Sequence, residues 1–274
     1  MKKNRKKARS LKQSPSNPST QASAAASSCG STSKERTRVL PNYMTPTKAS
    51  LRGTPKCKSS RPKLLYLIRH GESLGQTAKR RGLNRKTDPS LLDAGLSPTG
   101  MRQAGKLAKD KRLQEGVELV ISSPLTRALH TAVLGFGQSR CDIVVHYDLC
   151  ELGSRVPENT ARKMQHVLKD IKEARGSDGL AIDYTSFMPA TWPVDNYAGK
   201  ASRSNSIRRV MQYLYEEREE ETIAIVCHFH VIREIVDEGG SLRPENANPI
   251  VCKLYPCGQV ILGNNNVAIP MDIG

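Results

Sequence analysis

The stretch LLYLIRHGESL, residues 64–74, decides how the rest of the chain is read. Leu64 to Ile68 are apolar without alternation, the pattern of a strand covered on both faces. The run stops at Arg69, His70 and Gly71, so a buried strand presents a guanidinium and an imidazole at its carboxyl end. Strands of this kind belong to parallel sheets, and in an open parallel sheet ligands bind at the carboxyl ends of the strands.

Similar short apolar runs recur outward from it: ELVIS (118–122), DIVVHYDL (142–149), TIAIVC (222–227), and finally IVCKLY (250–255) and QVILG (259–263). Longer amphipathic stretches separate them. SPTGMRQAGKLAKDKRL (97–113) has Ser97 as N-cap and Pro98 at the first helical position, and SPLTRALHTAVLGF (123–136) repeats the device with Ser123 and Pro124. ENTARKMQHVLKDIKEA, SNSIRRVMQYLYEEREE and HVIREIVDE predict three more helices. The alternation predicts an α/β domain over residues 63–274, large enough to bury a core without disulfides or metals. Residues 178–201 have no clear period and are expected to cross the surface as a loop anchored by Trp192.

Charge separates the rest of the chain from this domain. The sequence carries a formal net charge of +17, and residues 1–63 hold 16 Lys and Arg against a single acid, Glu35. Residues 1–62, rich in Ser, Pro, Lys and Ala, are expected to be a disordered basic tail. Its start, MKKNRKKARSLK, reads as a nuclear address or a weak nucleic-acid-binding patch, with a plain solvated extension or an organellar transit peptide as the other readings. The expected location is cytoplasmic or nuclear. No apolar run approaches about 18 residues, so neither a spanning helix nor a membrane partner is expected. The 7 cysteines include no CxxC pair and suit a reducing compartment better than a disulfide framework or a zinc site. Oligomeric state is not encoded in any of these patterns.

Chemistry concentrates where strands end. Arg69 and His70 follow the first strand, Arg127 falls in the first turn of the helix after the second, Glu151 follows the third, and His228 with Phe229 follows the fourth. Two guanidiniums and two imidazoles on one rim suit a phosphoryl group, because Arg offers a permanent charge and a fork of donors to paired oxygens. A neutral imidazole held against that group can act as nucleophile, and Glu151 can protonate the departing alkoxide, with Glu158 as the alternative donor. Ser73 and Gln76 lie close enough in sequence to touch the same oxygens. The basic run KRRGLNRK (79–86) reads as a solvated face before it reads as an anion clamp, and Glu72 as a structural carboxylate. His230 is expected to line the pocket, while His130, His146 and His166 fall away from the rim.

LIRHGES, ISSPLTRALHTA, the Glu of LCELGS and IAIVCHFHVIREI resemble, in order, the four motifs of the histidine phosphatase superfamily, also called phosphoglycerate mutase-like. The likeness runs over residues 64–262, and DPSLLDAGLSPTGMRQA resembles the family's Leu-Thr-x-x-Gly-x-x-Gln-Ala helix start. It implies a three-layer α/β/α sandwich around a mostly parallel sheet with one antiparallel strand. It also implies a metal-independent phosphatase without a cofactor, acting on a phosphorylated small molecule or phosphoprotein. His70 would be the phosphorylated nucleophile, with Glu151 the proton donor and His228 beside the phosphate. Arg69, Arg127, Ser73, Gln76 and Phe229 would complete the phosphate-binding set. Gln76 stands where the family often has Asn, and Phe229-His230 where it has a Gly-rich turn. Mutase-type phosphotransfer and phospho-ligand binding with little turnover are the alternatives; the short body lacks the inserted segments of the glycolytic mutases.

Overall fold

The computed structural model of the chain describes residues 61–139, 141–152, 156–175, 182–190, 192–193, 200–236 and 241–263. Residues 1–60 of the expected basic tail lie outside the described residues. The apolar run at 64–68 forms β1 (Lys63–Arg69), which pairs in parallel with β5 (Thr222–Cys227) and antiparallel with β6 (Pro249–Leu254). β2 (Leu119–Ser122) pairs in parallel with both β5 and β3 (Asp142–His146), and β3 with β4 (Ile182–Phe187). β7 (Val260–Leu262) closes the other edge, antiparallel to β6, giving one 7-stranded sheet in the order β4-β3-β2-β5-β1-β6-β7. The resemblance implied one antiparallel strand in a mostly parallel sheet, and β6 is that strand.

Strand periodicity distributes the core. Leu65 and Leu67 of β1 face one side with Ile223 and Ile225, where Val210 and Leu214 of α5 (Lys200–Glu216) and Ile232 of α6 (Phe229–Val236) cover them. Tyr66 and Ile68 face the other side and pack with Leu107 of α1 (Pro98–Leu107), Leu113 of α2 (Lys111–Gly116), Leu129 of α3 (Thr126–Phe136) and Val167 of α4 (Met164–Arg175). The sheet is therefore covered on both faces, as the uninterrupted apolar character of β1 and β5 requires.

The backbone after β1 runs unusually close to the start of α1. A Cβ added to Gly71 would lie 2.5 Å from the Gly100 carbonyl oxygen, and one added to Gly100 would lie 2.0 Å from that of Glu72. Only glycine permits this approach. Ser97 caps α1 as expected, accepting from Gly100 N at 3.0 Å, and its hydroxyl donates to Glu72 at 2.7 Å. Between these contacts, residues 73–96 form a loop whose ends are tied by a bridge between Ser73 and Leu96 and by Leu74 N donating to Gly95 O at 2.9 Å.

Four local expectations change. The helix predicted over 97–113 divides into α1 and α2, with Asp110 capping the second piece through Arg112 N. The one starting at Ser123 begins instead at Thr126, because Ser123 Oγ bonds His228 and Leu125 N, while Asp93 takes the capping role by accepting from both Thr126 N and Thr126 Oγ1. The stretch from Glu158 starts in a 3-10 turn, Pro157–Asn159, and becomes α-helical only at Met164. Residues 182–187, read as loop, form edge strand β4, with three consecutive exposed residues that hide the strand period. Trp192 does anchor its segment, donating from Nε1 to Arg162 O at 3.1 Å.

Candidate active site

At the carboxyl ends of β1, β2 and β5 the sequence places His70, Ser123 and His228 in hydrogen-bonding range of one another's surroundings, and a cleft of about 200 Å³ opens above His70. His70 is buried, and its Nδ1 lies 2.7 Å from the Gly71 carbonyl oxygen. A carbonyl only accepts, so Nδ1 carries the hydrogen and Nε2 keeps its lone pair. Burial, reinforced by the Arg127 guanidinium, holds the His70 pKa well below the usual histidine value, so the ring is neutral at pH 7.

Arg127 fixes that ring. Its Nε lies 3.2 Å from His70 Nε2, Nη2 donates to Asn159 Oδ1 at 2.8 Å, and Nη1 donates to the Glu158 carbonyl oxygen. Burial makes these contacts rigid. Asp93, itself buried and at φ 44°, ties the start of α3 to Arg162, so the helix turn that carries Arg127 is held from both sides. Thr131 adds another tie, accepting from Gly71 N at 3.0 Å and donating to Arg127 O at 2.7 Å.

Arg69 donates to Pro244 O at 3.0 Å and stacks over the Phe229 ring at 5.2 Å. Asn246 donates to His70 O at 2.7 Å and meets Gln76 across both amide groups, while Ala247, at φ 50°, donates to Arg69 O. Two non-glycine residues in the left-handed region, Asp93 and Ala247, thus buttress the same floor, which is where backbone strain tends to be tolerated. His228 is completely buried, its ring 5.2 Å from that of His70 and its Nε2 2.8 Å from Ser123 Oγ. Its Nδ1, like Arg69 Nε, has no partner among the described residues.

The walls are built from different material. Glu151 Oε1 accepts from Leu152 N at 2.9 Å and His230 N at 3.2 Å, and His230 Nδ1 approaches the same oxygen at 3.4 Å. That carboxylate lifts the His230 pKa above the ordinary value despite partial burial. Opposite, the Glu158 carboxylate is sunk into the wall at 3% exposure and accepts from Arg85 Nε at 2.6 Å and Ser73 Oγ at 3.5 Å. Arg85 and Lys86 both line the cleft, so the basic run at 79–86 divides: all five cations are exposed, but only the last two border the cleft.

Of the residues expected from sequence, Arg69, His70, Ser73, Gln76, Arg127 and Glu151 line one cleft, as do Glu158 and His230. His228 stands behind His70, and Phe229 supports Arg69 from outside the lining. Asn159, Asn246, Asp93 and Thr131 escaped sequence reading. The Asn159 contact had a signal in its adjacency to Glu158; Asn246, 176 residues from His70, had none.

A model of the histidine phosphatase superfamily (branch 1) matches residues 65–262. Phosphoglycerate mutase-like protein 1 of Arabidopsis thaliana is 36% identical over 80 residues, a segment spanning only 28% of this chain and 28% of that relative. Among solved structures, a phosphoserine phosphatase from Entamoeba histolytica covers 73% of this chain and 94% of its own at 23% identity and a TM-score of 0.46. The alpha-ribazole phosphatase from Shigella flexneri gives 73% and 94% at 20% identity and a TM-score of 0.47.

Proposed function

Because the chain belongs to the histidine phosphatase superfamily, we propose that it is a metal-independent phosphomonoesterase that works through a phosphohistidine on His70. The observation that carries this reading is the state of that ring: neutral, with Nδ1 held by the Gly71 carbonyl and Nε2 directed at Arg127 beside a cleft. Nε2 attacks phosphorus, forming an N–P bond as the ester P–O bond breaks and its electron pair stays on the leaving oxygen. Arg69 and Arg127 offset the charge of the phosphoryl oxygens without a metal ion, and the unpaired Nδ1 of His228 is available to one of them.

The leaving oxygen takes its proton from the Glu151 end of the cleft. Glu158 suits this role poorly, since its carboxylate is ion-paired with Arg85 and sunk into the wall. Water then attacks the phosphohistidine, the N–P bond breaks, and its electrons return to Nε2. The test is acid-labile phosphoenzyme formation alongside hydrolysis of p-nitrophenyl phosphate in chelator, for wild type and His70→Ala. Loss of both in the variant is expected, and persistence of either refutes the mechanism.

A further inference from the structure

We propose that His230, held by Glu151, carries the proton for the leaving group at neutral pH, so that the acid of this site is an imidazolium–carboxylate pair and not a lone carboxyl. This inference rests on the phosphatase reading above and specifies its second half.

The geometry points to the pair. His230 and Glu151 line the same cleft as His70, and the two groups meet twice, through the His230 backbone N–H at 3.2 Å and through ring Nδ1 at 3.4 Å. Both contacts, and the one from Leu152 N, fall on a single carboxylate oxygen, Oε1. The carboxylate is therefore oriented as an acceptor for Nδ1, which leaves Nε2 as the ring atom that exchanges a proton, the division of labour of a carboxylate–imidazole pair in acyl transfer. With its side chain 57% exposed, against 12% for Glu151, the ring also reaches solvent, which can return its proton.

Chemistry favours the same assignment. A general acid works best with a pKa near the operating pH, and the imidazole is the side chain whose ordinary value lies there. The charged neighbours of His230 are Glu151, Arg233 on its own helix, and Arg69 at the end of β1. The two arginines oppose protonation and the Glu151 carboxylate favours it, with a net rise for the ring. The direct contact with Glu151 outweighs both the partial burial of the ring and the two arginines, which stack on Phe229.

In the first step the N–P bond forms, the P–O bond breaks, and the leaving oxygen takes the proton from His230 Nε2, leaving a neutral imidazole paired with the Glu151 carboxylate. In the second, that imidazole removes a proton from the attacking water as the N–P bond breaks, and the pair regains its charge.

The experiment compares p-nitrophenyl phosphate, whose leaving group needs little protonation, with an alkyl phosphate such as glycerol phosphate, in wild type, His230→Gln and Glu151→Gln. For His230→Gln the loss in kcat/KM at pH 7 is expected to be about 100-fold with the alkyl ester and at least tenfold smaller with the aryl ester. The basic limb of the alkyl pH profile should vanish in His230→Gln and move to lower pH in Glu151→Gln. The proposal is overturned if His230→Gln keeps the wild-type alkyl rate and profile, or if Glu151→Gln alone removes alkyl turnover. Failure of the underlying phosphatase reading is distinguishable, because wild type would then turn over neither ester and form no phosphoenzyme.

Discussion

The floor of the cleft and its walls are made differently. Arg69, His70 and His228 stand at the ends of central strands, and Arg127 in the first turn of a helix whose start is tied down by Asp93; each is held by backbone carbonyls, hydroxyls or amides. Glu151, Glu158, Arg85 and His230 come instead from turns and a helix start, and hold one another through charge. Under the proposed phosphatase reading the contrast implies a division of function: the floor would address the phosphoryl group, which is common to all substrates, and the walls the group that leaves.

That division can be broken experimentally. The largest effect is expected at His70→Ala, a loss of about 10⁴-fold or more in turnover whatever the leaving group; a loss that depends on the leaving group would merge floor and wall. Arg127→Ala should cost about 10² to 10³ in kcat and about 1–3 kcal/mol of stability, since it also strands the Glu158 carbonyl. Denaturant titration reads the second quantity, and Arg127→Lys should restore little, because an ammonium cannot span three separated acceptors.

Acid should weaken the fold at the two floor histidines and at His146, which is buried on β3 away from the cleft. Burial holds the pKa values of His70 and His228 well below 6.5 and that of His146 down to about 4. In each case the folded value lies below the unfolded one, so the unfolded chain binds more protons, and stability is lost as pH falls below 6.5. His146 alone accounts for about 3 kcal/mol, with its loss complete near pH 4. A midpoint unchanged between pH 7 and 5 would contradict this. Gly71→Ala should cost about 1–3 kcal/mol through its clash with the Gly100 carbonyl. Gly105→Ala, on the open side of α1, should instead gain up to about 1 kcal/mol, and chemical denaturation of the two variants tests whether the tight backbone approach belongs to the floor.

What was legible in the sequence follows the same boundary. Strands β1, β2 and β5 announce themselves because both faces are buried, and their terminal residues are found by counting from the last apolar position. β4 does not, since an edge strand reading Ile-Asp-Tyr-Thr-Ser-Phe is largely exposed and has no period to detect. Asp93 escaped sequence reading because its capping of α3 depends on a left-handed backbone that no composition encodes. Arg85 was inseparable from its basic neighbours in a run that reads as surface; only the buried Glu158 carboxylate, 73 residues away, singles it out. Side chains fixed by their own strand are readable, and those fixed by a distant partner are not.

The tie between Ser73 and Leu96 gives the molecule a loop whose tip can vary. Because the loop is closed at its neck by backbone pairing, with Glu72 O accepting from Ser97 N at 2.8 Å just below it, and because Gln76 and Asp93 near its two ends make its contacts with Asn246 and Thr126, the largely exposed residues 79–87 between them can change without moving His70. Lengthening such a loop costs little, about 0.6 kcal/mol for each doubling. The exposed tip that brings Arg85 and Lys86 to the cleft mouth can therefore vary, and selection or engineering can change what the mouth admits while the floor beneath it stays in place.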